Sequence, residues 1–176
     1  MKSRNLVLTG FMGSGKTSIG LRLSYRLQIM VEDTDKLIER REGRSISDIF
    51  AREGEEYFRQ QETALLKELT EGRYQRIYSV GGGTPVREEN RQLLGKLGLV
   101  VYLRARPETI YERLKGDVTR PLLQCADPLG RIRELMEGRS GAYEACAHII
   151  VDVDGKTVEE IMDIIEREAE ACDGRP

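Results

Sequence analysis

Gly10-Phe11-Met12-Gly13-Ser14-Gly15-Lys16-Thr17 fits the spacing GxxxxGK[ST], and each residue type in it suits the grip of a polyphosphate. Glycines let successive backbone amides turn toward a β-phosphate. Lys16 would place a point charge on the β- and γ-phosphates, and the Thr17 hydroxyl can ligate Mg²⁺. The apolar run Leu6-Val7-Leu8 before the loop and the helical spacing after it supply the strand, loop and helix that this chemistry needs. A helix starting there adds the positive end of its dipole. Gly13, Ser14, Gly15, Lys16, Thr17 and Ser18 are therefore the expected contacts to a nucleoside triphosphate.

Two further groups of residues could act on what the loop holds. Asp33-Thr34-Asp35 sets two carboxylates at i and i+2 at the end of a second apolar run. At a strand-to-helix turn both can aim toward the phosphates. Asp and Thr also cap helices, so capping is expected to occupy one of the three and function the others. Ile77-Tyr78-Ser79-Val80 ends in Gly81-Gly82-Gly83, with no aspartate where many phosphate-loop enzymes keep a second metal-anchoring carboxylate. Asp33 is the nearest candidate to join Thr17 at the metal. Triple glycine either admits a ligand close to the backbone or makes a loose turn. Arg59 and Glu62, at i and i+3 on a helix, read by themselves as a surface ion pair.

The elements that must position these groups alternate along the chain. Strands are predicted at Asn5 to Thr9, Met30 to Glu32, Arg76 to Val80, Gly98 to Arg104 and His148 to Val153. Helical periodicity separates them: Ile19, Leu23 and Leu27; Leu65, Leu66 and Leu69; Val158, Ile161, Ile164 and Ile165. Asp127-Pro128 reads as an N-cap and first-turn proline for a helix carrying Ile132, Leu135 and Met136. The expectation is an α/β fold with an open five-stranded parallel sheet, flanking helices and ligands beyond the strand C-termini.

Composition narrows the function classes. A chain of 176 residues is one domain, so any substrate-binding part must be an insertion. A net charge of −2, from 28 basic and 30 acidic residues, lacks the basic excess of a nucleic-acid binder. The residues before the first strand are too few for a targeting peptide, and no apolar run approaches the roughly 20 residues that span a bilayer. A cytoplasmic protein without membrane, nucleic acid or obligate protein partner, and monomeric, is the expectation. Cys125, Cys146 and Cys172 have no CxxC spacing and suggest neither a disulfide framework nor a zinc site. His148, the one histidine, opens an apolar strand and suits a structural role.

Taken together, these motifs resemble the shikimate kinase family along nearly the whole chain. The resemblance rests on the Gly10 to Thr17 loop with its Phe11-Met12 interior, Asp33-Thr34-Asp35 followed by Ile38-Glu39, and Gly54-Glu55-x-x-Phe58-Arg59-x-x-Glu62. It continues in Gly81-Gly82-Gly83, Thr119-Arg120-Pro121-Leu122-Leu123 and the Arg139 to Tyr143 segment. The first of these is specific alone; the others are specific in this order and spacing. The resemblance implies a nucleoside-monophosphate-kinase-like P-loop fold and transfer of the γ-phosphoryl group of ATP, with Mg²⁺, to the 3-hydroxyl of shikimate on the route to chorismate and the aromatic amino acids. It also implies a substrate-binding insertion at about 33–61 and a mobile lid at about 113–125.

By position, the resemblance puts Asp35 on the ring hydroxyls near the attacking oxygen and gives the substrate carboxylate to Arg59 and Arg139. Gly81, Gly82 and Gly83 contribute backbone contacts. Lys16 and Arg120 flank the transferring phosphate, and Arg113 stacks on adenine near the turn after Asp152. Where the family usually has a proline and a leucine before the tyrosine, this chain reads Ser140-Gly141-Ala142-Tyr143, an exchange expected to leave that helix less rigid. Val31 stands where phenylalanine is frequent. A kinase for another polyol acid such as gluconate, or for a nucleoside monophosphate, would share the loop and fold. Asp152-Val153-Asp154-Gly155 is formally the DxxG of a guanine-nucleotide switch, but it lies too far from the loop and no NKxD accompanies it.

Overall fold

The structure, a computed structural model, describes residues 4–116 and 125–173. β1 (Asn5–Thr9) leads into the phosphate-loop sequence and α1 (Lys16–Leu27). β2 (Val31–Asp33) runs directly into α2 (Thr34–Glu42), and α3 (Ile46–Thr70) follows. β3 (Ile77–Ser79) is followed by a short 3-10 turn at Thr84–Val86 and by α4 (Glu88–Leu97). β4 (Gly98–Arg104), α5 (Pro107–Leu114), α6 (Pro128–Cys146), β5 (Ile149–Asp152) and α7 (Val158–Asp173) complete the order. The five strands form one sheet in the order β2-β3-β1-β4-β5, and all four pairings are parallel.

Strand alternation decides which helix packs where, because successive side chains leave opposite faces. Leu6, Leu8, Leu99, Val101 and Leu103 face one side, where they pack with Ile19 and Leu23 of α1 and Ile161 and Ile165 of α7. Val7, Tyr78 and Val100 face the other, against Leu66 of α3 and Leu93, Leu94 and Leu97 of α4. Both faces being covered, the central strands read as continuous apolar runs. Ile38, Ile49, Phe58 and Leu65 form a separate small core between α2 and α3.

The predicted strands stand: β1 and β4 match at both ends, and the ends of β2, β3 and β5 are displaced by one residue. The displacement at β2 has a consequence, since Asp33 is its last residue and also the N-cap of α2. Asp127 caps α6 through Gly130 N–H at 2.9 Å, with Pro128 in the first turn as its spacing predicts. α6 runs unbroken through Ser140, Gly141 and Ala142, so the exchange there costs no helical continuity. The segment 33–61 is not set off by a linker: its far boundary falls inside α3, which bends at Gly54 (φ 83°, ψ 174°) and continues into the main core. Gly54 holds a backbone conformation that side chains disfavour.

His148 does structural work. Its Nδ1 accepts the Val100 N–H at 3.0 Å while its own N–H reaches the Val100 carbonyl at 2.9 Å, fastening β5 to β4. Burial, with help from Arg4, holds its pKa below the usual value, so the neutral ring that accepts this bond is the favoured form. The DxxG carboxylates are structural too. Asp152 pairs with Arg104 at 2.5 Å, and both oxygens of Asp154 accept the Arg106 N–H at 3.1 Å. Cys125 is exposed, Cys146 buried and Cys172 between, all as free thiols.

Candidate active site

The C-terminal ends of β1, β2 and β3 lie side by side, which brings Gly10, Asp33 and Gly81 together although they are far apart in sequence. Such strand ends are where open α/β sheets bind ligands. The phosphate loop owes its shape to positive φ at Gly10 (143°), Gly13 (76°) and Gly15 (101°), and Gly15 is the N-cap of α1. A side chain at Gly10 would also strike the Leu103 carbonyl, 2.7 Å from where its Cβ would sit. Ser14 lies buried within the loop, Thr17 and Ser18 are exposed in the first turn of α1, and Lys16 folds back so that Nζ donates to the carbonyls of Gly10 (2.8 Å) and Phe11 (3.0 Å). From α5, Arg113 Nη1 donates to the Gly13 carbonyl at 3.0 Å. Lys16 and Arg113, two of the cations assigned to the nucleotide, thus sit on the rim of its loop.

The three residues Asp33, Thr34 and Asp35 take three separate jobs. Asp33 Oδ1 accepts the N–H groups of Asp35 (3.0 Å) and Lys36 (3.3 Å), so the capping member is the one also assigned to the metal. Thr34 is buried; its hydroxyl donates to the Ser79 carbonyl at 3.4 Å and accepts the Gly81 N–H at 3.3 Å. Asp35 Oδ1 is buried without a hydrogen-bond partner among the described residues. Burial, then the charges of Asp33 and Glu62, push the Asp35 carboxyl up to about 6, while Lys16 and Arg59 pull it down. A carboxylate in that state is short of a donor.

Triple glycine closes the space between these parts. A Cβ on Gly81 would stand 2.7 Å from Asp35 Oδ1 and 3.1 Å from both Glu62 Oε1 and Thr84 Oγ1, and one on Gly83 would collide with the Arg59 guanidinium. Gly82 packs on the phosphate loop, where its Cβ would lie 3.4 Å from the Gly10 carbonyl. The Gly82 carbonyl accepts the Tyr143 hydroxyl at 2.5 Å. Tyr143 is buried and stacks on Tyr102 with centroids 5.0 Å apart; burial pushes its hydroxyl up to about 12, so it stays a donor.

Arg59 and Glu62 differ from the surface pair that their spacing suggests. Glu62 is 2% exposed and accepts Arg59 Nη1 at 2.7 Å. The other side of the guanidinium fork, Nε and Nη2, donates to Glu55 Oε1 at 3.2 and 2.8 Å. Burial pulls the Arg59 pKa down, but Glu62 and Glu55 outweigh it and leave it raised, so the charge is secure. Arg59 and Arg139 line one cleft of about 230 Å³ together with Glu55, Val86, Glu134 and Leu135. The Arg139 guanidinium also lies 5.9 Å from the centre of the Phe11 ring, on the phosphate loop. Two arginines in one cleft suit a carboxylate, and the Arg59 fork already holds two, Glu62 and the exposed Glu55.

Arg120, with most of the segment expected to form a lid, lies outside the described residues. Among those described, no group of three His, Cys, Asp or Glu side chains could hold a metal by itself, and no helix is long and apolar enough to cross a membrane. Sequence reasoning gave no site role to Glu62, Thr84 or Asn90, though all three are buried at the site's edge. Two of them carry a signal in the sequence: Phe58, Glu62, Leu65 and Leu66, like Asn90, Leu93, Leu94 and Leu97, put a polar residue on the apolar stripe of a helix.

Comparison with known proteins agrees with this architecture. The family model for shikimate kinase matches residues 12–170. A shikimate kinase of Symbiobacterium thermophilum is 42% identical over 166 residues, 93% of this chain and 95% of that protein. One of Deinococcus radiodurans is 48% identical over 163 residues, covering 92% and 82% respectively. The solved shikimate kinase of Acinetobacter baumannii, in complex with shikimate, superposes with a TM-score of 0.90 at 33% identity, over 99% of this chain and 97% of that one. The chain belongs to the shikimate kinase family.

Proposed function

We propose that this protein transfers the γ-phosphoryl group of ATP to the 3-hydroxyl of shikimate, giving 3-phosphoshikimate and ADP on the route to chorismate and the aromatic amino acids. It works as a cytoplasmic monomer. The observation that carries the reading is Asp35 Oδ1, a buried carboxylate oxygen without a donor at the strand ends beside the phosphate loop. An acceptor hydroxyl satisfies it and is thereby aimed at the phosphate.

Phosphoryl transfer asks mainly for alignment and charge neutralisation. The amides of Gly13 to Ser18 cradle the phosphates, and Lys16 exchanges the carbonyls of Gly10 and Phe11 for the β- and γ-phosphates. Arg113 leaves the Gly13 carbonyl for the adenine. Arg59 and Arg139 take the shikimate carboxylate, which displaces Glu55 from the Arg59 fork, while Gly81, Gly82 and Gly83 offer backbone without side-chain hindrance. With a pKa of about 6, Asp35 is ionised at neutral pH and orients the hydroxyl or accepts its proton. Arg120 adds its charge as the lid at about 113–125 encloses the substrate, which also excludes water.

Mg²⁺ suits the donor set. It binds few protein oxygens and keeps water and phosphate ligands, and the exposed Thr17 hydroxyl with the second oxygen of Asp33, outside the cap, offers hard oxygen donors of that kind. Held by Thr17 and Asp33, it would supply positive charge to offset that of the phosphates.

The test is a coupled ADP-release assay with ATP and Mg²⁺ over shikimate, quinate, gluconate and nucleoside monophosphates, with ³¹P NMR of the product. Shikimate should be turned over with a clear lead in kcat/KM and yield a 3-phosphate monoester. A lead for gluconate or a nucleotide would replace this reading.

A further inference from the structure

Behind Arg59 stands a buried polar chain that joins three elements. Thr84, opening the 3-10 turn after the triple glycine, donates its hydroxyl to Glu62 Oε1, while Glu62 Oε2 takes Arg59. Asn90, on α4, donates Nδ2 to the Thr84 carbonyl at 3.0 Å and accepts the Thr63 hydroxyl on Oδ1 at 2.7 Å. Thr63 Oγ1 is also 3.0 Å from the Arg59 carbonyl. Exposure is 2% at Glu62, 6% at Thr63, 1% at Thr84 and zero at Asn90, so no water is at hand to replace a missing partner.

The geometry leaves little freedom. A threonine hydroxyl has one proton, and Thr84 gives its own to Glu62 Oε1, while Asp35 Oδ1, which also lies close under Gly81, has no hydrogen-bond partner among the described residues. Asn90 fixes the Thr84 backbone, and hence where that hydroxyl stands. Both oxygens of Glu62 are then engaged, so the carboxylate cannot rotate, and Arg59 is held on the side facing away from Glu55.

We propose that Thr84, held in place by Asn90, is a positioning residue for the acceptor pocket: by fixing Glu62 it sets the Arg59 fork to receive a carboxylate. The inference rests on the functional reading above and adds a residue that acts through Glu62 and Arg59. Removing the hydroxyl leaves Glu62 Oε1 buried without a donor, a defect whose relief draws Glu62 and Arg59 out of place. The cost falls on the carboxylic acid acceptor and not on ATP.

Thr84→Val keeps the shape, and Thr84→Ser keeps the hydroxyl. Steady-state kinetics should show the shikimate KM raised about tenfold in Thr84→Val, with the ATP KM within about twofold of wild type. Thr84→Ser should restore the shikimate KM to within about threefold. Thr84→Ala lacks the hydroxyl without filling its space and should match Thr84→Val, so the comparison survives if one variant fails to fold. An unchanged shikimate KM in a folded hydroxyl-free variant, an equal rise in both KM values, or a serine variant no better than valine would overturn the inference. Wild type inert toward shikimate would overturn the functional reading and this inference with it, whereas active wild type with unaffected variants overturns the inference alone.

Discussion

The nucleotide side and the acceptor side of this site are built by opposite means. The phosphate loop is one continuous stretch whose form follows from backbone: three glycines at positive φ, a helix start, and cations resting on the loop's own carbonyls. The acceptor side comes from the start of α2, α3, the triple-glycine turn and α6, and is held by buried polar and charged groups that satisfy one another. A loop of the first kind needs only local sequence. A pocket of the second kind exists only once the sheet has set its strand ends in order, and its energetics are those of burial, where one unpaired group is costly.

The contrast can be broken first on the nucleotide side. Lys16→Met removes a charge from the transferring group while the glycines keep the loop's form, so kcat should fall about 10²- to 10³-fold with an unchanged melting temperature. Near-normal turnover in a folded variant would remove the loop from the chemistry. On the acceptor side the expected signature is reversed. The folded-state pKa of Asp35, about 6, lies above its ordinary value near 3.8, so the native state is penalised at high pH. That penalty is absent below about pH 4, where both states are protonated, grows as pH rises, and is complete above about 6. Asp35→Asn should therefore stabilise the ligand-free protein by about 2–3 kcal/mol at pH 8 and by almost nothing at pH 3, while abolishing most turnover. Chemical denaturation at the two pH values checks this, and equal effects at both would contradict the burial account.

A smaller effect sharpens the comparison. Burial is the largest cause of the raised Asp35 pKa and the Asp33 charge the next. Asp33→Asn keeps a capping side chain and removes the charge. The acid limb of kcat/KM, expected near pH 6, should then move down by a fraction of a pH unit when measured at saturating Mg²⁺. A stationary limb would mean that Asp35 does not govern it.

These two sides also divide what could be read from the sequence. Gly10 to Thr17 was legible whole, as were the five strands, because periodicity and loop chemistry are local signals. Asp33-Thr34-Asp35 was legible as a cluster but not in its division of labour. The buried state of Asp35 depends on Gly81, which arrives from β3, and spacing along the chain says nothing of that contact. Arg59 and Glu62 read as a surface pair because the i, i+3 rule takes no account of which face the helix buries. Counting Phe58, Leu65 and Leu66 around Glu62 would have shown it. Thr84 and Asn90 are partners across a turn and a helix, and only tertiary structure makes them a chain.

The central claim is that this remote assembly reads a carboxylate through Arg59 and Arg139. Calorimetric titration of wild type and Arg139→Ala with shikimate, and with its analogue in which the carboxylate is reduced to an alcohol, tests it directly. Truncating one partner of a desolvated charge pair costs about 2–5 kcal/mol, so Arg139→Ala should weaken shikimate binding by roughly one and a half to three and a half decades, with ATP binding nearly unchanged. The analogue should bind wild type poorly and lose little more in the variant, because the mutation and the reduction remove the same interaction. Additive losses, or normal shikimate binding by Arg139→Ala, would contradict the account.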